Sequence, residues 1–319
     1  MSEVVVIGGG TGLSTFGRVL KTLSVNLTFV VTITDDGGSS GRLREDLGMP
    51  PPGDIRNNLL ALADDENLLS KVFSYRFKSD KLLKHSLGNL ILAGLTEMEG
   101  SFPEAVAAAS KLLRIRGNVL PVADALIHLV GTFNDGTILK GETNISKKGC
   151  SPKELRLDRT VKALPEVVEA IENADYIIFG PGSLFTSIIS NFLVEGVPQA
   201  LQKSKGKKAY ISNLMTQPGE TNNFSLKQHV LEVEKYSSVI LDKIFWVDLS
   251  NLEKMEPEIF EKYKKSGAIP VKNDMECDNR VIRIEDFEEK QLEANGKKLV
   301  LRHSESSVFQ IARILGIAE

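Results

Sequence analysis

An apolar run over residues 4–7 ends in three consecutive glycines, and Thr11 and Gly12 follow them. A buried strand that enters a glycine-rich turn and then a helix brings backbone N–H groups to the positive end of the helix, where a phosphate can bind. The dinucleotide-binding pattern is incomplete, because Leu13 stands at the position of its third glycine. A tight turn without any ligand would also favour glycine. The ligand contacts predicted in this turn are Gly9, Gly10, Thr11 and Gly12.

A second polar segment follows the β-branched run at residues 27–34, which is typical of a buried strand. Asp35 and Asp36 stand at the carboxyl end of that strand, beside the first turn if the two strands are parallel neighbours. A carboxylate there can bond a ribose hydroxyl or hold Mg²⁺ against a phosphate. The next residues predict a flexible loop with arginines for anionic oxygens, although a solvated turn with surface arginines has the same composition. They are Gly37, Gly38, Ser39, Arg42 and Arg44.

The segment that starts at Pro50 predicts a helix that begins near Ile55, with Asp54 as its N-cap. Asn57 indicates a ligand contact, because asparagine is a poor helix former and a side-chain role would explain its place in the first turn. Ligand binding is the alternative role of Asp54. If Mg²⁺ binds, Asp36 and Asp54 are its predicted ligands, and no other cofactor is indicated.

Later polar segments carry further predicted ligand contacts. A glycine turn after Phe179 repeats the arrangement at residue 8, and its serine has helix capping as an alternative role. His85 precedes a helical pattern but has no paired carboxylate or cysteine in sequence, so no catalytic residue is assigned. The predicted contacts in these segments are His85, Asn89, Gly180, Gly182, Ser183, Asn213 and Gln217.

The C-terminal pattern predicts a strand that ends near Arg302 and a helix that starts after Ser304 or Ser306. If this strand is parallel to the others, Arg302 and His303 lie at the same sheet edge as the glycine turns. Arg302 can then pair with a diphosphate. A surface ion pair is an equal alternative for this arginine.

Three motifs, in this order and at this spacing, resemble the YvcK/CofD family: GGGTG, TDDGGSSGRLR and PPGDIRNNL. The resemblance continues through HSLGN, GETNI, GPGSLFTSI and NLMTQPGET, and it covers most of the chain. The family has two branches, the gluconeogenesis factors and the phospholactyl transferases of deazaflavin coenzyme synthesis. The turn at Gly180 departs from the GPSNPxxSI pattern of the transferases, so the chain is similar to the gluconeogenesis-factor branch.

This resemblance implies a cytoplasmic bacterial protein that binds a UDP-sugar, above all UDP-N-acetylglucosamine, and is needed for cell shape on gluconeogenic carbon sources. It also implies that the RH segment at Arg302 takes part in UDP-sugar binding. Two other classes stay open. One is a Mg²⁺-dependent transferase of the phospholactyl type with a nucleotide-diphosphate donor. The other is a dinucleotide-dependent oxidoreductase, which the missing third glycine makes the weakest alternative.

Composition narrows the function without naming it. The 319 residues are 42% hydrophobic, which suffices for a substantial core, and the net charge of −3 argues against nucleic-acid binding. No apolar run approaches the ~20 residues of a membrane span, and no basic region precedes the first apolar run, so we expect a cytoplasmic protein. Cys150 and Cys277 lack metal-ligand spacing. The HExxH, GxSxG and GKS/T motifs do not occur.

Alternating strand and helix patterns predict a Rossmann-like α/β fold, with a mainly parallel sheet, helices on both faces and a helical middle segment. We expect one nucleotide-binding domain over residues 1–319, with its helical elaboration at about 54–115 and a hairpin turn at Asn134 to Gly136. The charged, irregular stretch 272–298 is the candidate for a variable surface region or for the contact of a homo-oligomer. The helices of the elaboration are expected near residues 54–64, 66–76, 85–99 and 102–115.

Overall fold

The computed structural model describes residues 1–64, 68–77, 85–293 and 297–318. Its strands are β1 Ser2–Gly8, β2 Val25–Val31, β3 Asn118–Pro121, β4 Leu129–Thr132, β5 Ile138–Lys140, β6 Glu154–Leu157, β7 Tyr176–Phe179, β8 Lys207–Ile211, β9 Lys243–Val247, β10 Val281–Ile284, β11 Phe287–Glu293 and β12 Lys297–His303.

The helices surround this set of strands, and a π-helix, Leu184–Ile189, leads directly into one of them, α9. In chain order they are α1 Gly10–Leu20, α2 Gly38–Leu47, α3 Pro52–Leu62, α4 Leu68–Ser74, α5 Leu87–Glu99, α6 Phe102–Leu113, α7 Glu142–Lys147, α8 Pro165–Asn173, α9 Ser190–Phe192, α10 Val197–Lys203, α11 Leu226–Ser237, α12 Leu252–Met255, α13 Pro257–Lys265 and α14 Glu305–Leu315. None of the helices in the described ranges is long and apolar enough to cross a membrane.

The main sheet contains seven strands in the order β10-β9-β8-β7-β1-β2-β3, and every neighbouring pair is parallel. The chain first extends outward from β1 through β2 to β3, and it later returns to place β7 on the other side of β1. The direction of growth therefore reverses between β1 and β7. Ligands of open parallel sheets bind outside the carboxyl ends of the strands at such a reversal.

Helices cover both faces of the sheet. Since successive side chains of a strand point to opposite faces, each strand contributes residues to two separate cores. In β1, Val4 and Val6 belong to one apolar core, which includes α1, α3 and α14 residues, whereas Val5 and Ile7 belong to a second core with α8, α11 and the π-helix. All four β1 side chains are buried. The predicted Rossmann-like α/β fold is confirmed.

The predicted hairpin at residue 135 is confirmed, since β4 and β5 are antiparallel neighbours. They form a three-stranded sheet with β6, which pairs with the other side of β4 and which the sequence did not indicate. The second hairpin strand ends earlier than expected. The GETNI motif leaves the sheet at Gly141, which has φ +96°, and continues as α7.

The C-terminal strand and helix are confirmed as β12 and α14, but the parallel pairing on which the sheet-edge prediction for Arg302 and His303 depended is not found in the described structure. β12 pairs antiparallel with β11 in a separate two-stranded sheet and is not a member of the main sheet. The charged stretch 272–298, expected to be irregular, also contains β10, which extends the main sheet at its edge beside β9.

Two other elements were not predicted. The expected flexible loop after Asp36 is the helix α2, in which Ser39, Ser40 and Gly41 are buried. The edge strand β3 ends in Pro121, a residue that sheets accept at their edges because it has no N–H to donate.

Candidate functional site

A cavity of about 260 Å³ lies at the carboxyl ends of β1, β7 and β8, where the order of the sheet reverses. The loops after these three strands meet there, and the end of β12 joins them. The cavity is lined mainly by residues 9–12, 181–183, 213–217 and 301–303. Of the 21 predicted ligand contacts, twelve lie outside this wall and nine line it: Gly9, Gly10, Thr11, Gly12, Gly182, Ser183, Asn213, Gln217 and Arg302.

The first glycine turn is built for close approach of the backbone. Gly10 has φ +67°, a conformation that favours glycine, and it opens α1. A Cβ on Gly9 would lie 2.8 Å from Cγ2 of Thr32, and a Cβ on Gly12 would lie 2.9 Å from the carbonyl oxygen of Pro181. The first turn of a helix leaves backbone N–H groups without helical acceptors, so Thr11 and Gly12 bring donors to the cavity wall.

The second glycine turn packs against the first. A Cβ on Gly182 would lie 3.3 Å from the carbonyl oxygen of Gly9, and Gly180 has φ +84°. Ser183 occupies the N-cap position of the π-helix, but its hydroxyl makes no capping bond and instead receives a 2.8 Å hydrogen bond from Nε2 of Gln217. Asn213 Nδ2 donates to the carbonyl oxygen of Gly182 at 2.9 Å. The two predicted amides therefore hold the β7 and β8 loops together.

Arg302 reaches the cavity from β12, although this strand is not a member of the main sheet. Its Nη2 donates to Oγ1 of Thr11 at 2.9 Å, so the arginine lies beside the first glycine turn. Tyr263 of α13 receives a 3.0 Å hydrogen bond from the Leu301 N–H and fixes the end of the strand. Burial, followed by the charge of Arg302, lowers the pKa of His303 to about 4, so this histidine is neutral at pH 7.

The apolar part of the wall was missed by the sequence analysis. It contains Phe16, Leu214, Met215, Tyr263 and Leu301. Apolar residues in a loop or helix resemble ordinary core residues, and only the position of Leu214 and Met215 within the NLMTQPGET motif pointed to the site.

Asp54 does not cap a helix, because α3 begins at Pro52 and has Pro51 at its N-cap position. Its Oδ2 instead accepts the Gly10 N–H at 2.7 Å, which joins α3 to the first glycine turn. Burial, followed by the nearby charge of Asp35, raises the pKa of Asp54 to about 6. The N-cap prediction for Asp54 is therefore wrong.

Other carboxyl groups lie near Asp54, and burial is the main cause that raises the pKa of each. The pKa of Glu142 is raised well above its ordinary value, with the charge of Asp35 as the next cause after burial and those of Glu220, Asp54 and Asp36 behind it. The pKa values of Asp35 and Glu220 are also raised. Glu220 accepts hydrogen bonds from Oγ1 of Thr186 at 2.9 Å and from the Phe185 N–H at 3.3 Å.

The two predicted metal ligands have separate partners. Asp36 Oδ1 accepts from the N–H and the hydroxyl of Thr143, at 2.9 and 2.5 Å, whereas Asp54 is bonded to Gly10. Within the described parts of the chain, no group of three or more histidine, cysteine or acidic residues is placed to hold a metal ion. Mg²⁺ binding by Asp36 and Asp54 stays a prediction.

The loop glycines do not line the cavity. Gly37 donates its N–H to Oδ1 of Asp35 at 2.9 Å, and Gly38, with φ +51°, is exposed at the start of α2. These two residues shape the turn after β2.

Four other predicted contacts form a hydrogen-bonded network outside the cavity wall. Ser39 Oγ lies 2.8 Å from Nδ1 of His85 and accepts from Nδ2 of Asn89 at 3.2 Å. Arg56 donates to Oδ1 of Asn89 at 2.8 Å and to Oδ1 of Asn57 at 2.7 Å. Burial, followed by the charge of Arg42, lowers the pKa of His85. Ser39, Asn57, His85 and Asn89 thus form a second group of site residues, separate from the cavity wall.

Arg44 has a structural role. Its side chain is completely buried, and its guanidinium donates to the carbonyl oxygens of Thr34, Asp35 and Ile127. The expected contact between Arg44 and a ligand anion finds no support in this geometry, because these bonds hold the guanidinium inside the protein.

Comparison with known proteins agrees with this architecture. Residues 4–291 match the family model described as 2-phospho-L-lactate transferase CofD. A Thermotoga maritima protein named as a gluconeogenesis factor is 50% identical over 302 residues, which are 94% of this chain and 95% of that protein. The gluconeogenesis factor of Bacillus subtilis is 45% identical over 277 residues, or 86% of each protein.

A solved structure shows the same fold. The crystal structure of a Bacillus halodurans protein, described as a member of the UPF0052 family, is 41% identical and superimposes with a TM-score of 0.88. The match covers 98% of both chains. The chain therefore belongs to the YvcK/CofD family, in the branch whose members are named gluconeogenesis factors.

Proposed function

We propose that this protein binds a UDP-sugar, specifically UDP-N-acetylglucosamine, in the cavity between the two glycine turns. The observation that carries the proposal is the hydrogen bond from Arg302 to Thr11 in the first turn of α1. A guanidinium and the N–H groups of a helix N-terminus are the donors that a diphosphate requires. The diphosphate is placed at residues 10–12, within reach of Arg302.

The remaining wall suits the two ends of such a ligand. Phe16, Met215 and Tyr263 offer apolar surface to a base. Asn213 and Gln217 stand at the second turn, where amide groups can bond sugar hydroxyls. The site is therefore polar at the glycine turns and apolar toward α13.

The relatives give the physiological side of the proposal. Since they are named gluconeogenesis factors, we assign this chain the same role. The proposal includes a cytoplasmic location and a part in cell shape on gluconeogenic carbon sources, as the resemblance of its motifs implies. On this assignment the nucleotide sugar is a regulatory ligand and is not consumed as a substrate. Association of the chain into a homo-oligomer belongs to the same proposal.

Native mass spectrometry of the purified protein against UDP-N-acetylglucosamine, other UDP-sugars, GDP and NAD tests the ligand. We expect one UDP-sugar per chain, with weaker or no binding of GDP and NAD. Retention of NAD or GDP in preference to every UDP-sugar would contradict the proposal.

A Mg²⁺-dependent transferase of the phospholactyl type is the second candidate. The description of the matching family model and the raised pKa values of carboxyl groups beside the cavity favour it. A transferase would release UDP or another nucleotide at a rate proportional to protein concentration, and Asp36→Asn would abolish the release. A binding protein leaves the nucleotide sugar intact with Mg²⁺ present.

A further inference from the structure

Arg56 is a buried cation in the second group of site residues. It lies on α3, only 8% of its surface is exposed, and it stands two positions after Asp54. Burial is the main cause that lowers its pKa to about 10. Proteins rarely bury an arginine without an anionic partner, because desolvation of the charge is costly.

The direct partners of Arg56 are neutral. Its two terminal nitrogens donate to the amide oxygens of Asn89 and Asn57, and its Nε is buried without an acceptor in the described structure. The carboxylate of Asp54 stabilises the charge from a distance, but its Oδ2 is bonded to the Gly10 N–H. Arg56 thus keeps hydrogen-bonding capacity and positive charge that the described residues do not use.

Other arginines act electrostatically on this group of residues. The charge of Arg76 lowers the pKa of Arg56, and the charges of Arg42 and Arg76 both lower the pKa of His85. Asp46 acts on His85 in the opposite direction. The charges of these arginines would attract an anion bound at Arg56.

The hydrogen bonds of the network also fix which groups can donate. Because Arg56 bonds Oδ1 of Asn89, the amide of Asn89 must present Nδ2 to Ser39. Ser39 can then give its proton to Nδ1 of His85, which leaves Nε2–H of the neutral imidazole as a donor. The same reasoning leaves Nδ2 of Asn57 as a donor, since its Oδ1 accepts from Arg56.

We propose that Arg56 is the centre of a second anion site, which binds a phosphoryl group with the help of Asn57 and His85. A phosphoryl group is favoured over a carboxylate, because its three acceptor oxygens match a guanidinium plus two further donors. The group comes from free phosphate or from a phosphorylated metabolite. The site is separate from the nucleotide cavity, whose wall contains none of these three residues.

The two sites share the first turns of α3. Asp54 contacts the glycine turn of the cavity, and Arg56 and Asn57 lie within three residues of it on the same helix. A phosphorylated molecule at Arg56 and a nucleotide at Gly10 would therefore both contact residues held by α3. The chain would bind two different anions at once.

Calorimetric titration with inorganic phosphate, in the absence of nucleotide, tests the site through Asn57→Asp. The new carboxylate would stand at the oxygen that Arg56 already bonds, so it would replace the ligand anion. We expect phosphate affinity to fall at least tenfold, while the melting temperature without phosphate stays equal or rises. The preserved melting temperature shows that the loss is not a folding defect.

Asn251→Asp is the matched control, because it adds the same charge at an exposed position and should leave phosphate affinity unchanged. Arg302→Ala removes a cation from the nucleotide cavity and separates phosphate bound there from phosphate bound at Arg56. Titration with glucose 6-phosphate distinguishes the sources: tighter binding than that of inorganic phosphate indicates a phosphorylated metabolite. Wild-type phosphate affinity in Asn57→Asp, or no saturable phosphate binding by the wild type, would overturn the proposal.

Discussion

The N–H of Gly10 donates to Oδ2 of Asp54 at 2.7 Å, which joins two helices that start 42 residues apart in sequence. The carboxylate thereby occupies one donor of a helix N-terminus that is suited to phosphate. A negative charge at this place is unfavourable beside Asp35, which contributes to the raised pKa of Asp54. The contact fixes the glycine turn, but it also places an internal anion beside the proposed diphosphate.

This relationship predicts the pH dependence of stability. Since the pKa of Asp54 is about 6 in the folded protein and 3.8 in its ordinary state, the folded protein binds the proton more tightly. The contribution of this carboxyl to stability is therefore present below about pH 4 and is lost as the pH rises to about 6. Its size is about 3 kcal/mol, at 1.36 kcal/mol per unit of pKa.

Asp54→Asn should remove this dependence, because the amide oxygen can still accept from Gly10 without a charge. Above pH 6 the variant should be more stable than the wild type, by up to about 3 kcal/mol. Chemical denaturation at several pH values between 4 and 8 measures both curves. Parallel curves for the two proteins would show that Asp54 is ionised without penalty.

The sequence predicted the elements that local patterns define. The apolar run before Gly8 and the run before Gly180 gave the strands and the turns, since buried parallel strands and glycine turns have strong local signals. The location of the cavity followed from these turns. The position of β12 in the cavity wall did not follow from the sequence, because a strand pattern does not identify the partner strand. In the structure β12 pairs with β11.

Contacts between distant segments explain the other differences. The glycines and serines after Asp36 are typical of a loop, but Ser39 and Ser40 are buried within α2. Arg44 looked exposed by composition, and its burial depends on a carbonyl of Ile127, 83 residues away. No local pattern predicts such a partner.

Gly12→Ala should separate the two glycine turns. The added Cβ would lie 2.9 Å from the carbonyl oxygen of Pro181, which is backbone and cannot rotate away. We expect at least a tenfold loss of UDP-sugar affinity by calorimetry and a destabilisation of about 1–3 kcal/mol from the forced shift.

Gly94→Ala is the control for this substitution. Gly94 is exposed within α5, and nothing lies within 4 Å of the new Cβ. This variant should be more stable by about 0.5–1 kcal/mol and should bind the ligand like the wild type. Equal affinities of the two variants would mean that the spacing of the turns does not govern binding.

Arg44→Leu should act on stability, because it leaves buried carbonyl oxygens of Thr34 and Ile127 without their donor. Each unsatisfied buried acceptor costs about 1–3 kcal/mol, so we expect a loss of about 3 kcal/mol or more in denaturant unfolding. The exposed Arg18→Leu should change stability by less than about 0.5 kcal/mol. A fully stable Arg44→Leu protein would show that its hydrogen bonds are replaced by water.

Arg302→Ala tests the contribution of β12 to the nucleotide site. In the described structure its side chain donates two hydrogen bonds, to the carbonyl oxygen of the adjacent Leu301 and to Thr11 on the exposed side of the turn, so its loss should leave the ligand-free melting temperature nearly unchanged. Ligand at ~100 times its dissociation constant stabilises a protein by about 2.7 kcal/mol. We expect Arg302→Ala to lose at least about 1.4 kcal/mol of that stabilisation at the same ligand concentration, which corresponds to a tenfold weaker affinity.

Thermal unfolding with and without UDP-N-acetylglucosamine measures the difference, and the exposed Arg313→Ala serves as the control for lost positive charge. If Arg302→Ala keeps the full ligand-induced shift, Arg302 pairs with no phosphate and β12 only closes the wall of the cavity.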